Sequence, residues 1–167
     1  MAEVSNSKLL ATNTGTLPKG ACVVIVRTEW NAAIIDKLEE GCTRVLAAQQ
    51  VAKVIIITVP GAFEIPFAIK SYWETKAAEE RPHAFIALGC VLRGGTPHFE
   101  YVCKAVTDGI AALNLQLPVP TIFGVLTLDT QQQADERTGG IHGHKGEEAA
   151  ITAVKMMAMQ ESFKIKS

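Results

Sequence analysis

The sequence predicts an α/β domain built as a three-layer sandwich, with a four-stranded parallel sheet in the order 2-1-3-4 and helices on both faces. Three observations carry this. Four short apolar, β-branched runs recur along the 167 residues, and each precedes a stretch in which apolar residues return every three or four positions. The third run is apolar on both faces, as a strand between two neighbours and two helical layers must be. Strand-then-helix units in series join parallel strands through right-handed crossovers, which cover both faces of one sheet.

Each element has a local reason. Residues 1–19 are rich in Ser, Thr and Asn and show no period, so a flexible N-terminal arm is expected ahead of a single domain over 20–167. ACVVIV (21–26) is the first strand; Asn31 then caps a helix whose Ile34, Ile35, Leu38, Cys42, Val45 and Leu46 share one face. VIIITV (54–59) is the second strand, stopped by Pro60-Gly61, and a helix to about Trp73 leads into the polar loop ETKAAEERPH. AFIALGCVL (84–92) is the third, followed by a helix marked by Phe99, Val102, Cys103, Val106, Ile110 and Leu113. Leu117-Pro118-Val119-Pro120 ends that helix, TIFGVLTL (121–128) is the fourth strand, and a short helix covers 131–137. Gly139, Gly140 and Gly143 predict a loop, and an Ala- and Met-rich helix over about 146–159 closes the fold.

Composition excludes several classes. A net charge of -1 and a pI near 6.4 remove the bulk attraction on which nucleic-acid binders and anionic-membrane binders rely. Charged residues, at 20%, fall below the roughly 25% of an average soluble domain, which hints at surface buried between subunits. No apolar run reaches the roughly 18 residues of a membrane span, and the N-terminus lacks the basic start and apolar core of a signal peptide, so a cytoplasmic location is expected. Cys22, Cys42, Cys90 and Cys103 lie in apolar patterns without a Cys-x-x-Cys pair and are expected as buried, reduced thiols.

With that strand order the chain reverses direction between strands one and three, and ligands bind above the C-terminal strand ends at such a point. The loops brought there are Thr28-Glu29-Trp30-Asn31 and Arg93-Gly94-Gly95-Thr96-Pro97-His98. Pro97 suits a first helical position, Thr96 the N-cap, and the glycines leave amides open, which fits an ordinary capped helix start and an anion site equally. His98 is either a proton carrier or a solvated histidine, and Trp30 either stacks on a planar ligand or packs at the core rim. Glu64 can hold hydroxyls or simply favour a helix N-terminus. Arg137, His142, His144 and Lys145 share one glycine-rich segment; no third ligand has suitable spacing beside His-x-His, so no metal is expected, whereas the fork of Arg137 matches phosphate oxygens.

PGAFEIP (60–66), LGCVLRGGTPHFEYV (88–102), FGVLT (123–127) and ERTGGIHGHKGEEAA (136–150), in that order, resemble the 6,7-dimethyl-8-ribityllumazine synthases, with similarity from about Val23 to Met159. The resemblance implies a flavodoxin-like fold and a transferase of riboflavin biosynthesis. Its reaction condenses 5-amino-6-(D-ribitylamino)uracil with 3,4-dihydroxy-2-butanone 4-phosphate to the lumazine, phosphate and water, with no metal or organic cofactor. It implies that Trp30 stacks on the pyrimidine, that Ala62, Phe63 and Glu64 hold the ribityl chain, and that Cys90, Val91 and Leu92 read the pyrimidine edge. It further implies a phosphate site at Gly95, Thr96 and Arg137, proton transfer by His98, and Phe123 and Lys145 reaching a neighbouring subunit's site.

Homo-oligomers built from pentamers, up to icosahedral shells, follow from the same resemblance, and the absence of an insertion over Arg137–Gly146 permits a shell. Trp30 stands where many members carry Phe, and His144 where Asn is usual, which bears on how Lys145 is held. A flavin-binding or flavin-storage module and a riboflavin synthase on the same fold are the alternatives.

Overall fold

A computed structural model of the chain describes residue 8 and residues 15–165. Strand β1 (Cys22–Thr28) leads to α1 (Ala32–Ala48), then β2 (Lys53–Val59), a 3₁₀ turn (Ala62–Glu64) and α2 (Ile65–Thr75). After a second 3₁₀ turn (Ala78–Glu80) come β3 (Ala84–Leu92), α3 (His98–Gln116), β4 (Thr121–Leu128) and α4 (Gln131–Arg137). A small hairpin of β5 (Thr138–Gly140) and β6 (Gly143–His144) precedes α5 (Lys145–Ile165).

The four long strands form one parallel sheet in the order β2-β1-β3-β4, as the sequence predicts. Alternation along the strands sorts the core into two layers. Val23 and Ile25 of β1 pack with Ile35, Leu38 and Cys42 of α1 and Ala150, Ala153 and Met157 of α5. Val24 and Val26 face the other way, onto Ile65 and Ile69 of α2 and Val106, Ile110 and Leu113 of α3. Full burial of each such Val, Leu or Ile stabilises by about 1.5–3 kcal/mol, so the apolar stripe decides which face each helix presents. On the α2 side Phe85 meets the edges of Tyr72 and Trp73, with centroids 6.0 and 6.5 Å away.

Several local expectations are corrected. Asn31 stands at the N-cap of α1, but it is left-handed (φ 60°, ψ 41°) and its side chain makes no capping bond. Helix α3 starts one residue later than expected, with Pro97 at the N-cap place, so Thr96 caps nothing. The glycine-rich segment is the β5–β6 hairpin, not an open loop, and α5 extends past residue 159 to Ile165. Cys103 is half-buried, unlike the other three thiols, and all four are free. Most of the proposed arm, residues 1–7 and 9–14, lies outside the described residues, but Pro18 is buried and Leu17 packs on the α1–α5 layer, so the chain is already anchored there. Among the described residues no helix is long and apolar enough to cross a membrane.

Candidate active site

The reversal between β1 and β3 opens a cleft of about 470 Å³ above the strand ends. Four segments line it: Trp30 and Asn31 after β1, Gly61–Glu64 after β2, Cys90–Leu92 at the end of β3, and His98 and Val102 on α3. Seven residues that the sequence analysis names one by one for a ribitylaminouracil site (Trp30, Ala62, Phe63, Glu64, Cys90, Val91, Leu92) therefore meet His98 in one cavity.

The lining combines a fixed floor with an aromatic rim. Ala62 and Cys90 are buried, whereas Trp30 and Phe63 are exposed by 73% and 61%, which leaves two rings free to cover a planar guest. The Trp30 backbone is held by its N–H donating to the Pro60 carbonyl at 3.2 Å and by the Thr28 hydroxyl donating to the Trp30 carbonyl at 3.3 Å. Gly61 sits where the two loops meet: a Cβ there would stand 3.1 Å from Glu64 Oε2 and in ordinary contact, 3.5 Å, with Trp30 Cδ1. Burial pushes the Cys90 thiol up to about 11, so it stays protonated at neutral pH and lines the floor as an apolar group, not as a nucleophile.

Beside the cleft, Gly94, Gly95 and Thr96 are exposed, and neither glycine has anything within 4 Å of where a Cβ would stand. This open segment leads into the first turn of α3, whose N–H groups lack intrahelical partners. Arg93 bolts the segment down: its Nε donates to Asp129 Oδ1 at 2.6 Å, its Nη1 bonds Glu100, and its guanidinium lies 4.1 Å from the Phe99 ring. The first turn that carries His98 is thereby tied to the loop after β4.

The remaining predicted residues lie elsewhere. Arg137, last in α4, donates to the Gln133 carbonyl at 3.0 Å and stands 3.6 Å from Glu136; it is not among the cleft-lining residues. Phe123 and Lys145 meet in a second cleft, of about 390 Å³, between the free edge of β4 and α5. Lys145 is 4% exposed, and its Nζ is 2.7 and 2.9 Å from the two carboxylate oxygens of Glu148. His144 takes the N-cap place of α5, accepting from the Glu147 N–H through Nδ1 at 3.4 Å, and its ring lies flush on Gly41, where a Cβ would be 2.5 Å from Nδ1. A histidine thus supplies the capping acceptor that an Asn would, and Lys145 follows from a fixed start. His142 Nε2 is 3.8 Å from Glu136 Oε2. Sequence reasoning brings Asn31 to the switch point with its loop but gives its side chain only a helix-capping role, not a place in the cleft lining. The visible signal is an Asn directly after a loop tryptophan, a residue type that tolerates left-handed backbone.

The arrangement defines a doubly wound α/β protein with a cleft at its topological switch point, rimmed by two exposed aromatic rings beside an open helix N-terminus. A sequence profile of the 6,7-dimethyl-8-ribityllumazine synthase family matches residues 20–161. Proteins named 6,7-dimethyl-8-ribityllumazine synthase are similar over most of the chain: one from Parabacteroides distasonis is 50% identical over 135 residues, 80% of this chain and 82% of its own length. One from Cytophaga hutchinsonii is 44% identical over 158 residues, 92% of this chain and 97% of its own length. A third, from Porphyromonas gingivalis, is 46% identical over 138 residues, 81% of this chain and 83% of its own. The chain belongs to the 6,7-dimethyl-8-ribityllumazine synthase family.

Proposed function

We propose that this chain condenses 5-amino-6-(D-ribitylamino)uracil with 3,4-dihydroxy-2-butanone 4-phosphate to 6,7-dimethyl-8-ribityllumazine, phosphate and water, the penultimate step of riboflavin biosynthesis. The observation that carries the reading is the meeting of Trp30, Ala62–Glu64, Cys90–Leu92 and His98 in one cleft. Trp30 stacks on the pyrimidine, the Cys90–Leu92 backbone reads its edge, and Ala62, Phe63 and Glu64 take the ribityl chain. Gly95 and Thr96 hold the phosphate of the second substrate, and Arg137, which lies outside this cleft in its own chain, clamps it from an adjacent subunit.

The amine attacks the ketone and loses water to give an imine; phosphate then leaves, and the ribitylamino nitrogen closes the ring with loss of a second water. Each step moves a proton, and His98, on the cleft wall between pyrimidine and phosphate, is the carrier. Holding two substrates in register supplies much of the remaining acceleration.

Phe123 and Lys145 complete the site of an adjacent subunit. Their separation from the His98 cleft, in a second cleft at the free β4 edge, supports assembly into a homo-oligomer built from pentamers with active sites at subunit interfaces. The short β5–β6 hairpin leaves an icosahedral shell open to those pentamers, and the working form is a single cytoplasmic domain over 20–167 preceded by an arm. The test mixes purified protein with both substrates and follows lumazine fluorescence; no gain over the uncatalysed rate at saturating substrate would sink the proposal. Particle mass by light scattering tests the assembly, and a monomer at assay concentration contradicts it.

A further inference from the structure

Asn31 is spent in an unusual way. A left-handed backbone disfavours most L residues, Asn and Gly being the routine exceptions. At Asn31 that conformation turns the chain immediately after Trp30, whose ring is left exposed at the cleft. A side chain at an N-cap ordinarily accepts from a first-turn N–H. Here the amide Nδ2 instead donates to the Cys90 carbonyl at 2.9 Å, across 59 residues of sequence.

The sheet explains why Cys90 needs that donor. Pairing of β3 with β1 ends at Arg27 and Leu88, whereas pairing with β4 continues to Leu92. Beyond Leu88 the β1 side of β3 has run out of ladder partners, and a half-buried carbonyl there must find a donor elsewhere. We propose that Asn31 is a positioning residue: its amide replaces the missing strand, fixing the Cys90–Leu92 edge and the stacking tryptophan relative to each other. The proposal rests on the reading that this edge binds the pyrimidine.

Asn31→Gly keeps the left-handed backbone and removes the amide; Asn31→Asp keeps the shape and aims a carboxylate oxygen at a carbonyl oxygen. For each, KM of both substrates, kcat, thermal midpoint and the calorimetric Kd of 5-amino-6-(D-ribitylamino)uracil are measured. Loss of one orienting hydrogen bond is expected to raise Kd and KM for the pyrimidine about five- to tenfold in Asn31→Gly. KM for the butanone phosphate should stay near wild type, the thermal midpoint should fall by a few degrees because the Cys90 carbonyl loses its donor, and Asn31→Asp should bind the pyrimidine more weakly still. Unchanged pyrimidine affinity in Asn31→Gly, a proportional loss for both substrates, or an Asp variant no worse than the Gly variant each overturns the assignment. If the wild type binds the pyrimidine without turning it over, the synthase reading fails while the Kd series still decides the role of Asn31. A wild type that does neither overturns both.

Discussion

Gly146→Ala tests how Lys145 is placed. Helix α5 starts against the middle of α1, where a Cβ on Gly146 would run into the Leu38 carbonyl oxygen and lie 2.8 and 2.9 Å from Leu38 C and Cα. All three are backbone atoms of a helix, so no side-chain rotation relieves the clash, and the start of α5 must lift away from α1. Overpacking of this kind costs about 1–3 kcal/mol, and an encounter with backbone belongs near the upper figure. The better helix propensity of Ala returns up to about 1 kcal/mol. The net expectation is a loss of about 2 kcal/mol, which for a chain of this size lowers the thermal midpoint by about 4–8 °C. Gly95→Ala is the control: nothing lies within 4 Å of its Cβ position and its φ is not positive, so its stability should stay within about 0.5 kcal/mol of wild type. Urea and thermal unfolding of both variants decide the matter. A Gly146→Ala protein as stable as wild type, or two variants equally destabilised, would refute the close-approach argument.

Three further outcomes are expected. His98→Ala should slow turnover by roughly ten- to ten-thousand-fold in the lumazine fluorescence assay, and an unchanged rate removes the imidazole from the mechanism. Arg137→Ala should chiefly raise KM for the phosphorylated substrate, and an unchanged apparent affinity contradicts the clamp. His83 accepts from the Cys22 N–H through Nδ1 at 3.0 Å, and its pKa is lowered from 6.5, first by burial and then by nearby Lys164, with Glu161 opposing. Because the folded state favours the neutral ring, its contribution is present above pH 6.5 and is lost as pH falls through the lower folded value. His83→Asn keeps an acceptor without a titration, so urea midpoints at pH 7.5 and 5.5 should converge in the variant relative to wild type; equal pH slopes would contradict this linkage.

The long elements were legible because their signals are redundant. Six apolar positions on one face of α1, or nine consecutive apolar or small residues in β3, outweigh any single misleading residue. Short-range signals carry no such redundancy. Asn31 and His144 show why: an amide or imidazole beside a helix start can accept from the first turn or bond elsewhere, and only the neighbouring strand or helix decides. Asn31 turns to Cys90 because β1 ends too soon to satisfy that carbonyl, whereas His144, pressed on Gly41, keeps its Nδ1 for Glu147. Thr96 reads as a cap in sequence, yet the turn at Pro97 (φ -63°, ψ 0°) starts the helix one residue later and leaves Gly94–Thr96 as an open, uncapped approach.

The division of predicted site residues between two clefts has a similar cause. Motif order in the chain records which residues share a function, not which edge of the sheet carries them. β1 and β3 are interior strands whose ends converge on the switch point, so Trp30, Cys90 and His98 are gathered within one chain by topology alone. β4 is an edge strand, and Phe123 is 39% exposed on it, a position no switch-point loop of the same chain occupies. An exposed phenylalanine beside a buried Lys145–Glu148 pair is a poor free surface and a reasonable half of an interface, since the aromatic gains by burial and the charge is already paired. That physical asymmetry, a cleft with an open aromatic rim on one side and an unfinished edge on the other, supports the proposal of a catalytic unit larger than the chain, under which Phe123→Asp should impair assembly and turnover together. Turnover retained in dissociated subunits would contradict it.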